Sequence, residues 1–412
     1  MSDRRQRRKE ARAARAQQET RRKQTRVVLT AAGVVVVLVV AAVIVVTLVR
    51  RPAPRILFSG LTDTQVAFAA EHLRELDADF MRDDTEFLTG DASADLLIAP
   101  RGRGITAEPS ELAPVPPENF DLLPVSVRSV GRVDGEEKLL PVALDHVELL
   151  YRHGAFAERG VLVDGRVRSL DGLETVAADF VEPGFFPIVV AGGEDTAMLD
   201  FVSVLTLSLG GVDAYRELLG YLRVNEVNED TLFTRGFDNG WNLQEIIRTM
   251  QEWRASGIIH PQWARLEGDD VLAFAEAQRA VAVVMRLSTH RTWPVYVLRR
   301  WRTSPFPYEE PQAAGTGLIA PVYVGAVPSD SPWREEAVEL LPRLVEAEFQ
   351  NGVIQRWRLA PVNSTAEALD RESAEVRFWA AASRDILPSL ADALPPETAA
   401  ALAEAVRGRV GR

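Results

Sequence analysis

The chain reads as an α/β protein of two packed units carried behind one N-terminal membrane-spanning helix. Three observations predict this. Val27 to Val49 is a run of 23 residues without a charge. As a helix rising about 1.5 Å per residue it would span roughly 34 Å, enough to cross the hydrocarbon of a bilayer. Beyond it, apolar runs of strand length (Ala94 to Pro100, Phe186 to Ala191, Ala280 to Met285) alternate with helical patterns. That alternation is the signature of a sheet buried on both faces. Finally, two apolar runs, Leu139 to Leu144 and Val147 to Tyr151, flank the polar pair Asp145 and His146. Such a break suits a chain crossing from one packed unit to another, where ligand clefts are common. A surface loop between two strands of one sheet is the competing reading.

Charge divides the chain. Residues 1–26 carry 11 Lys/Arg and 3 Asp/Glu, whereas the remainder carries 36 and 56, a net of −20. An acidic body argues against nucleic-acid binding, which needs a basic face for phosphates. It suits a solvated extracytoplasmic domain. With basic residues ahead of the apolar run, the positive-inside rule places residues 1–26 in the cytoplasm and the body outside. A signal anchor is expected over 27–49, with a cleaved signal peptide as the alternative. Cysteine is absent. Disulfides, thiolate metal sites, a cysteine nucleophile and a lipidated N-terminal cysteine are therefore excluded.

In order, residues 50–55 (with Pro52 and Pro54) form a short stiff linker. Ile56 to Gly60 is a strand ending in a small-residue turn. Thr62 to Leu76 is an amphipathic helix capped by Thr62 or Asp63. Asp79 to Arg82 and Ala94 to Pro100 complete a β/α unit, in which ligands gather at the C-terminal ends of strands. Ser59, Gly60, Arg101 and Gly102 lie at such ends. Leu122 to Val133 is expected as a strand, followed by a turn at Asp134 and Gly135.

The loop Gly192 to Asp195 leads into an apolar helix, Ala197 to Leu209, closed by Gly210 and Gly211. A helix N-terminus can hold a ligand. Glu194 and Asp195 would repel an anion there, so a neutral hydroxylated ligand or a cation fits better, unless one of them simply caps the helix. Leu243 to Ser256 is a helix stopped by Gly257, and Asp269 to Gln278 a shorter one. Glu335 to Gln350 is expected as one amphipathic helix, and 371–411 as mostly helical with breaks at Pro388 and at Pro395 and Pro396. The five histidines show no H-E-x-x-H pattern or i,i+4 pair, and no G-x-S-x-G elbow occurs. No metal, cofactor or catalytic step is implied.

Four local patterns together resemble the extracellular solute-binding proteins of ABC importers, the type II periplasmic binding proteins of the sugar-binding class. They are Leu140 to Gly160 with its proline, polar pair and tyrosine; Pro187 to Gly211; Phe274 to Met285; and Glu335 to Pro361 with Phe349 and Gln350 between. The order and spacing agree over roughly residues 55–370. Departures are the Val281 and Ala282 start before Met285, a short first lobe, and a helical anchor in place of a lipidated cysteine.

The resemblance implies two α/β lobes closing on a solute by hinge motion. Lobe 1 would take 56–143 and 304–348; lobe 2 would take 144–303 and 349–412. The late crossings would fall near Trp301 to Pro307 and near Phe349. It implies a small polar solute, a carbohydrate, delivered to an importer permease by a receptor anchored in the bilayer through Val27 to Val49. Ser59, Asp145, Glu194, Asp195, Trp241, Arg286 and Ser288 are the candidate ligand contacts, with Trp357 and Trp379 as stacking platforms or core. Asp145 is expected to face the interlobe cleft, with His146 only its neighbour. A non-transporting sensor or scaffold of the same fold, and an anchored glycoside-active enzyme, are the competing functions.

Overall fold

The computed structural model describes residues 53–74, 78–83, 94–102, 111–225, 227–308, 317–367 and 370–411. The basic tail and the expected membrane span fall outside them.

The first sheet begins with β1 (Arg55–Ser59), β2 (Asp79–Asp83) and β3 (Leu96–Pro100), joined through α1 (Asp63–His72). β1 lies between β2 and β3 and runs parallel to both, the arrangement expected of a β/α unit. Thr62 caps α1 in a capping box with Gln65, which satisfies two end donors at once. The expected strand over 122–133 is instead α2 (Val125–Val130), followed by a hairpin of β4 (Arg132–Val133) and β5 (Glu136–Glu137). Pro124 presets the helix entry, and Val127 and Val130 share one buried face, so a three-residue period overrides the β-branched composition. Asp134 and Gly135 both have positive φ, the conformation a two-residue hairpin turn needs.

β6 (Leu140–Leu144) returns to this sheet, and β7 (Val147–Arg152) opens the second. A small hairpin follows, β8 (Leu162–Val163) and β9 (Arg166–Val167). The second sheet adds β10 (Ile188–Val189), β11 (Ala282–Arg286) and β12 (Trp301–Pro305), in the order β10-β11-β7-β12. Its core helix is α3 (Asp195–Val224), long and apolar but buried along most of its first half. α3 is kinked at Gly211 (φ 80°, ψ −177°), where an L side chain would be strained. The chain then passes through β13 (Gly317–Ile319) to β14 (Val322–Ala326), which is antiparallel to both β3 and β6. β15 (Ala360–Pro361) closes the first sheet, whose order is β15-β6-β14-β3-β1-β2.

The C-terminal third differs from expectation. Glu335 to Gln350 is broken into α4 (Arg334–Leu340), a 3-10 turn containing Pro342, and α5 (Ala347–Gly352), because proline cannot continue the helical ladder. Gln350 is fully buried in the first lobe. Its amide donates to Val142 O (2.8 Å) and Leu344 O (2.6 Å) and accepts from Val362 N (2.8 Å). Phe349, Trp357, Val376 and Trp379 join the same core as Ile56 and Val324. The last crossing therefore lies after α6 (Arg371–Ala382), at β16 (Asp385–Leu387), and not near Phe349. β16 pairs with β13 in parallel. α7 (Leu390–Ala393) and α8 (Pro396–Gly411) then pack with α3 in the second core.

One buried charge pair carries a pH prediction. Glu148 on β7 is inaccessible and lies 2.6 Å from His290 Nδ1. Burial disfavours the imidazolium, but the Glu148 carboxylate outweighs it and the His290 pKa is raised. A raised folded-state pKa gives stability that is complete below the unfolded value and is lost as pH rises through the folded one. Denaturation midpoints should therefore fall on going from about pH 6.5 into the alkaline range. Glu148→Gln should flatten that slope; an unchanged slope would remove the pair as its source.

Candidate functional site

The first crossing between the lobes is the Asp145–His146 pair, and its two side chains do different things. Successive side chains of an extended segment point to opposite sides. The Asp145 carboxylate, 3% exposed, accepts from Ser288 N (2.9 Å) and Ser288 Oγ (2.7 Å). Its backbone N–H donates to Pro321 O at 2.8 Å. Asp145 thus ties the turn after β11 to the crossing. Burial pushes its pKa up to about 6, against the opposing pull of the Arg286 guanidinium and the Ser288 hydrogen bonds.

Arg286, at the end of β11, is held by two buried carboxylates. Its Nε and Nη2 donate to Asp200 (2.6 and 2.8 Å), and Nη2 and Nη1 donate to Asp392 (2.8 and 3.3 Å). Ser389 Oγ completes the shell on Asp200 at 2.5 Å. Asp392 lies on α7, whose backbone is so close to Gly102, after β3, that a Cβ on Gly102 would meet Asp392 O at 2.7 Å. The segment from β16 to α7 thus fills space between the strand ends of the first lobe and α3 of the second.

The loop expected to receive a ligand is also engaged by the chain itself. Glu194 accepts from Gly268 N (2.6 Å), and Asp195 pairs with Arg407 (2.7 Å). Arg407 also donates to Gly192 O at 2.7 Å. Gly192 has no room for a side chain, since a Cβ would lie 2.3 Å from the Trp263 ring. Trp241 stacks on Phe237 (5.7 Å between centroids) and packs against Gly210. Ser59 is buried at the end of β1.

None of these seven residues lines the cavity of about 530 Å3 that opens at the crossings. His146 does, together with Trp379 and Phe378 of α6, Val204, Leu207 and Ser208 of α3, the segment 304–308, β13, and the β8–β9 hairpin. The hairpin is fixed by the Tyr151 hydroxyl, which donates to Gly165 O. Tyr308 donates to Gly317 O and joins the two sides of the second crossing.

His146 and Trp379 are both buried, with ring centroids 5.1 Å apart. Among the described residues, neither ring nitrogen of His146 nor Trp379 Nε1 has a hydrogen-bond partner. Burial pushes the His146 pKa down to about 3, so at neutral pH the ring offers one N–H donor and one lone-pair acceptor. An unmatched buried donor or acceptor costs about 1–3 kcal/mol. The two residues that carry these three atoms both line the cavity. Trp357, the other tryptophan considered as a platform, is wholly core, its Nε1 donating to Gln65 O at 3.0 Å.

No protein-family model matches the chain, and no curated protein does. Solved structures do match. The bacterial solute receptor AcbH, reported to have an exclusive preference for β-D-galactopyranose, superposes with a TM-score of 0.67 at 14% identity, over 87% of this chain and 99% of its own. A chitin oligosaccharide binding protein gives 0.60 at 15% identity, over 87% and 94%. Maltose-bound MalE3 of T. maritima gives 0.54 at 13%, over 86% and 100%. At these identities the likeness establishes the fold. It is the two-lobe α/β fold of solute-binding proteins, as the sequence resemblance implies.

Proposed function

We propose that the body is an extracytoplasmic solute receptor that takes a small hydroxylated solute, a carbohydrate, into the cavity at the lobe crossings. Val27 to Val49 would hold it at the membrane, and an ABC importer would receive the solute. The observation that carries the reading is the pairing of His146 and Trp379. Both residues line the cavity and carry three buried nitrogens without a partner among the described residues, and its walls also offer the Phe378 and Phe306 rings. Polar atoms for hydroxyls beside aromatic faces for C–H surfaces suit a sugar ring. Sugar ligands of the structural neighbours AcbH and MalE3 are consistent with it.

The test is calorimetry and thermal shift of the full-length, detergent-solubilised protein against hexoses, hexuronates, disaccharides and polyols. At least one member should bind, raise the melting temperature and change tryptophan emission through Trp379. His146→Ala and Trp379→Ala should each weaken binding about tenfold or more, roughly 1.4 kcal/mol. A sugar that binds equally well to both variants would sit elsewhere and would overturn this site.

A non-transporting sensor is the second reading, favoured by one observation. The segment from β16 to α7 bridges both lobes and ties Asp392 to Arg286, so part of the interlobe space is already occupied by the chain itself. A receptor whose lobes stay closed in solution without solute, as seen by small-angle scattering, would support it.

A further inference from the structure

We infer that the cavity selects an acidic sugar, its ring against Trp379 and His146 and its carboxylate at the arginines of the β8–β9 hairpin. The inference rests on the receptor reading above and concerns the charge of the solute.

The rim of the cavity carries the opposite sign to the protein. The body as a whole is strongly acidic. Yet the charged side chains lining this cavity are Arg166, Arg168 and Asp164. Among the described residues, no carboxylate lies within ion-pair distance of either guanidinium. Arg166 instead sits over aromatic faces, 4.8 Å from the Phe378 centroid and 5.8 Å from that of Trp379. This stacking leaves the edge of the guanidinium, with its N–H donors, available for a bidentate acceptor. The Asp164–Gly165 turn that presents Arg166 is built in: Asp164 and Gly165 both have positive φ, and Tyr151 holds Gly165 O.

The inner wall supplies the second, independent observation. His146 lines the cavity wall and is fully buried, with both nitrogens unpartnered among the described residues. A neutral imidazole suits a hydroxyl. Most of the remaining lining is apolar, including Val147, Val204, Leu207 and Ile319. A wall with so few polar groups would leave most hydroxyls of a longer oligosaccharide unmatched. A single ring with one charged end is matched at both.

The experiment pairs each hexuronate with its neutral hexose (galacturonate with galactose, glucuronate with glucose) on the full-length protein. One uronate should bind about tenfold or more tightly than its hexose, the range expected of a charge-assisted hydrogen bond. Arg166→Gln should erase that preference, read as the ratio of uronate to hexose affinity on the same variant, and added salt should narrow it. Asp164→Asn should widen it. Hexose and uronate binding equally, with Arg166→Gln without effect, would overturn the charge assignment and leave the receptor reading standing. Binding of neither would overturn both. Glu309 and Glu310 follow Tyr308 outside the described residues. If the preference appears only in the variant carrying Glu309→Gln and Glu310→Gln, the rim is already neutralised and the proposal fails.

Discussion

Arg286→Met should destabilise the protein by about 3–5 kcal/mol, the range for removing one partner of a buried ion pair. Asp200 and Asp392 are almost inaccessible, and each has Arg286 as its cationic partner at 2.6–2.8 Å. Without the guanidinium, two carboxylates share a buried site, with Ser389 Oγ donating to Asp200. For a domain of this size the melting temperature should fall by about 5–10 °C. The loss should be local before it is global. Asp392 belongs to α7, wedged between Gly102 and α3, so amide exchange should rise first over residues 385–394. Combining Arg286→Met with Asp200→Asn and Asp392→Asn removes the uncompensated charge and should recover much of the stability. A single variant that loses less than about 1 kcal/mol would mean the network is hydrated, since exposed pairs contribute that little.

Arg286 also shows where sequence reading stops. Its place at the end of a buried strand is legible, because Ala280 to Met285 is an uninterrupted apolar run and the polar residue after it must leave the sheet. Its partners are not. Asp200 is 86 residues away and Asp392 is 106 away, and nothing local links them. The same holds for the cavity. His146, Arg166, Trp379 and the 304–308 segment come from four stretches of chain that only the fold brings together. One signal was available in the alternation of side chains along an extended segment. If Asp145 turns towards Ser288, His146 must turn the other way.

Helices with clear caps and closing glycines, such as Asp63–His72 and Gln244–Ser256 before Gly257, were legible because the signals are local. The last lobe crossing was not. The three-residue strand Asp385–Leu387 sits in a helix-rich tail and exists because Gly317–Ile319 offers it an edge. Gln350, read as part of a late helix entering the second lobe, is instead the buried clamp that holds its segment in the first.

Asp145 carries the last prediction, a pH effect of opposite origin to that of His290. Its unfolded-state pKa is the ordinary carboxylate value near 3.9. Burial in the folded protein pushes it up to about 6, although Arg286 and the two Ser288 hydrogen bonds pull the other way. Between about pH 4 and 6 the folded state therefore holds a proton that the unfolded chain has released, and stability must fall as pH rises through that window. A difference of about two units corresponds to roughly 3 kcal/mol lost by pH 7. Asp145→Asn removes the ionisation. Its Oδ1 can still accept from Ser288 N, and its Nδ2 can donate to Ser288 Oγ, so the tie between the crossing and the turn after Arg286 is kept. The variant should be more stable than the parent at pH 7, equal to it near pH 4, and free of the decline between. Melting curves at half-unit steps from pH 4 to 7 measure this directly. If Asp145→Asn is less stable at pH 7, the carboxylate charge at the crossing is a net stabiliser: Arg286 then outweighs burial and Asp145 is ionised well below pH 6. The sign of that one difference decides whether the crossing holds a strained charge, ready to respond to a solute or a partner, or a settled one.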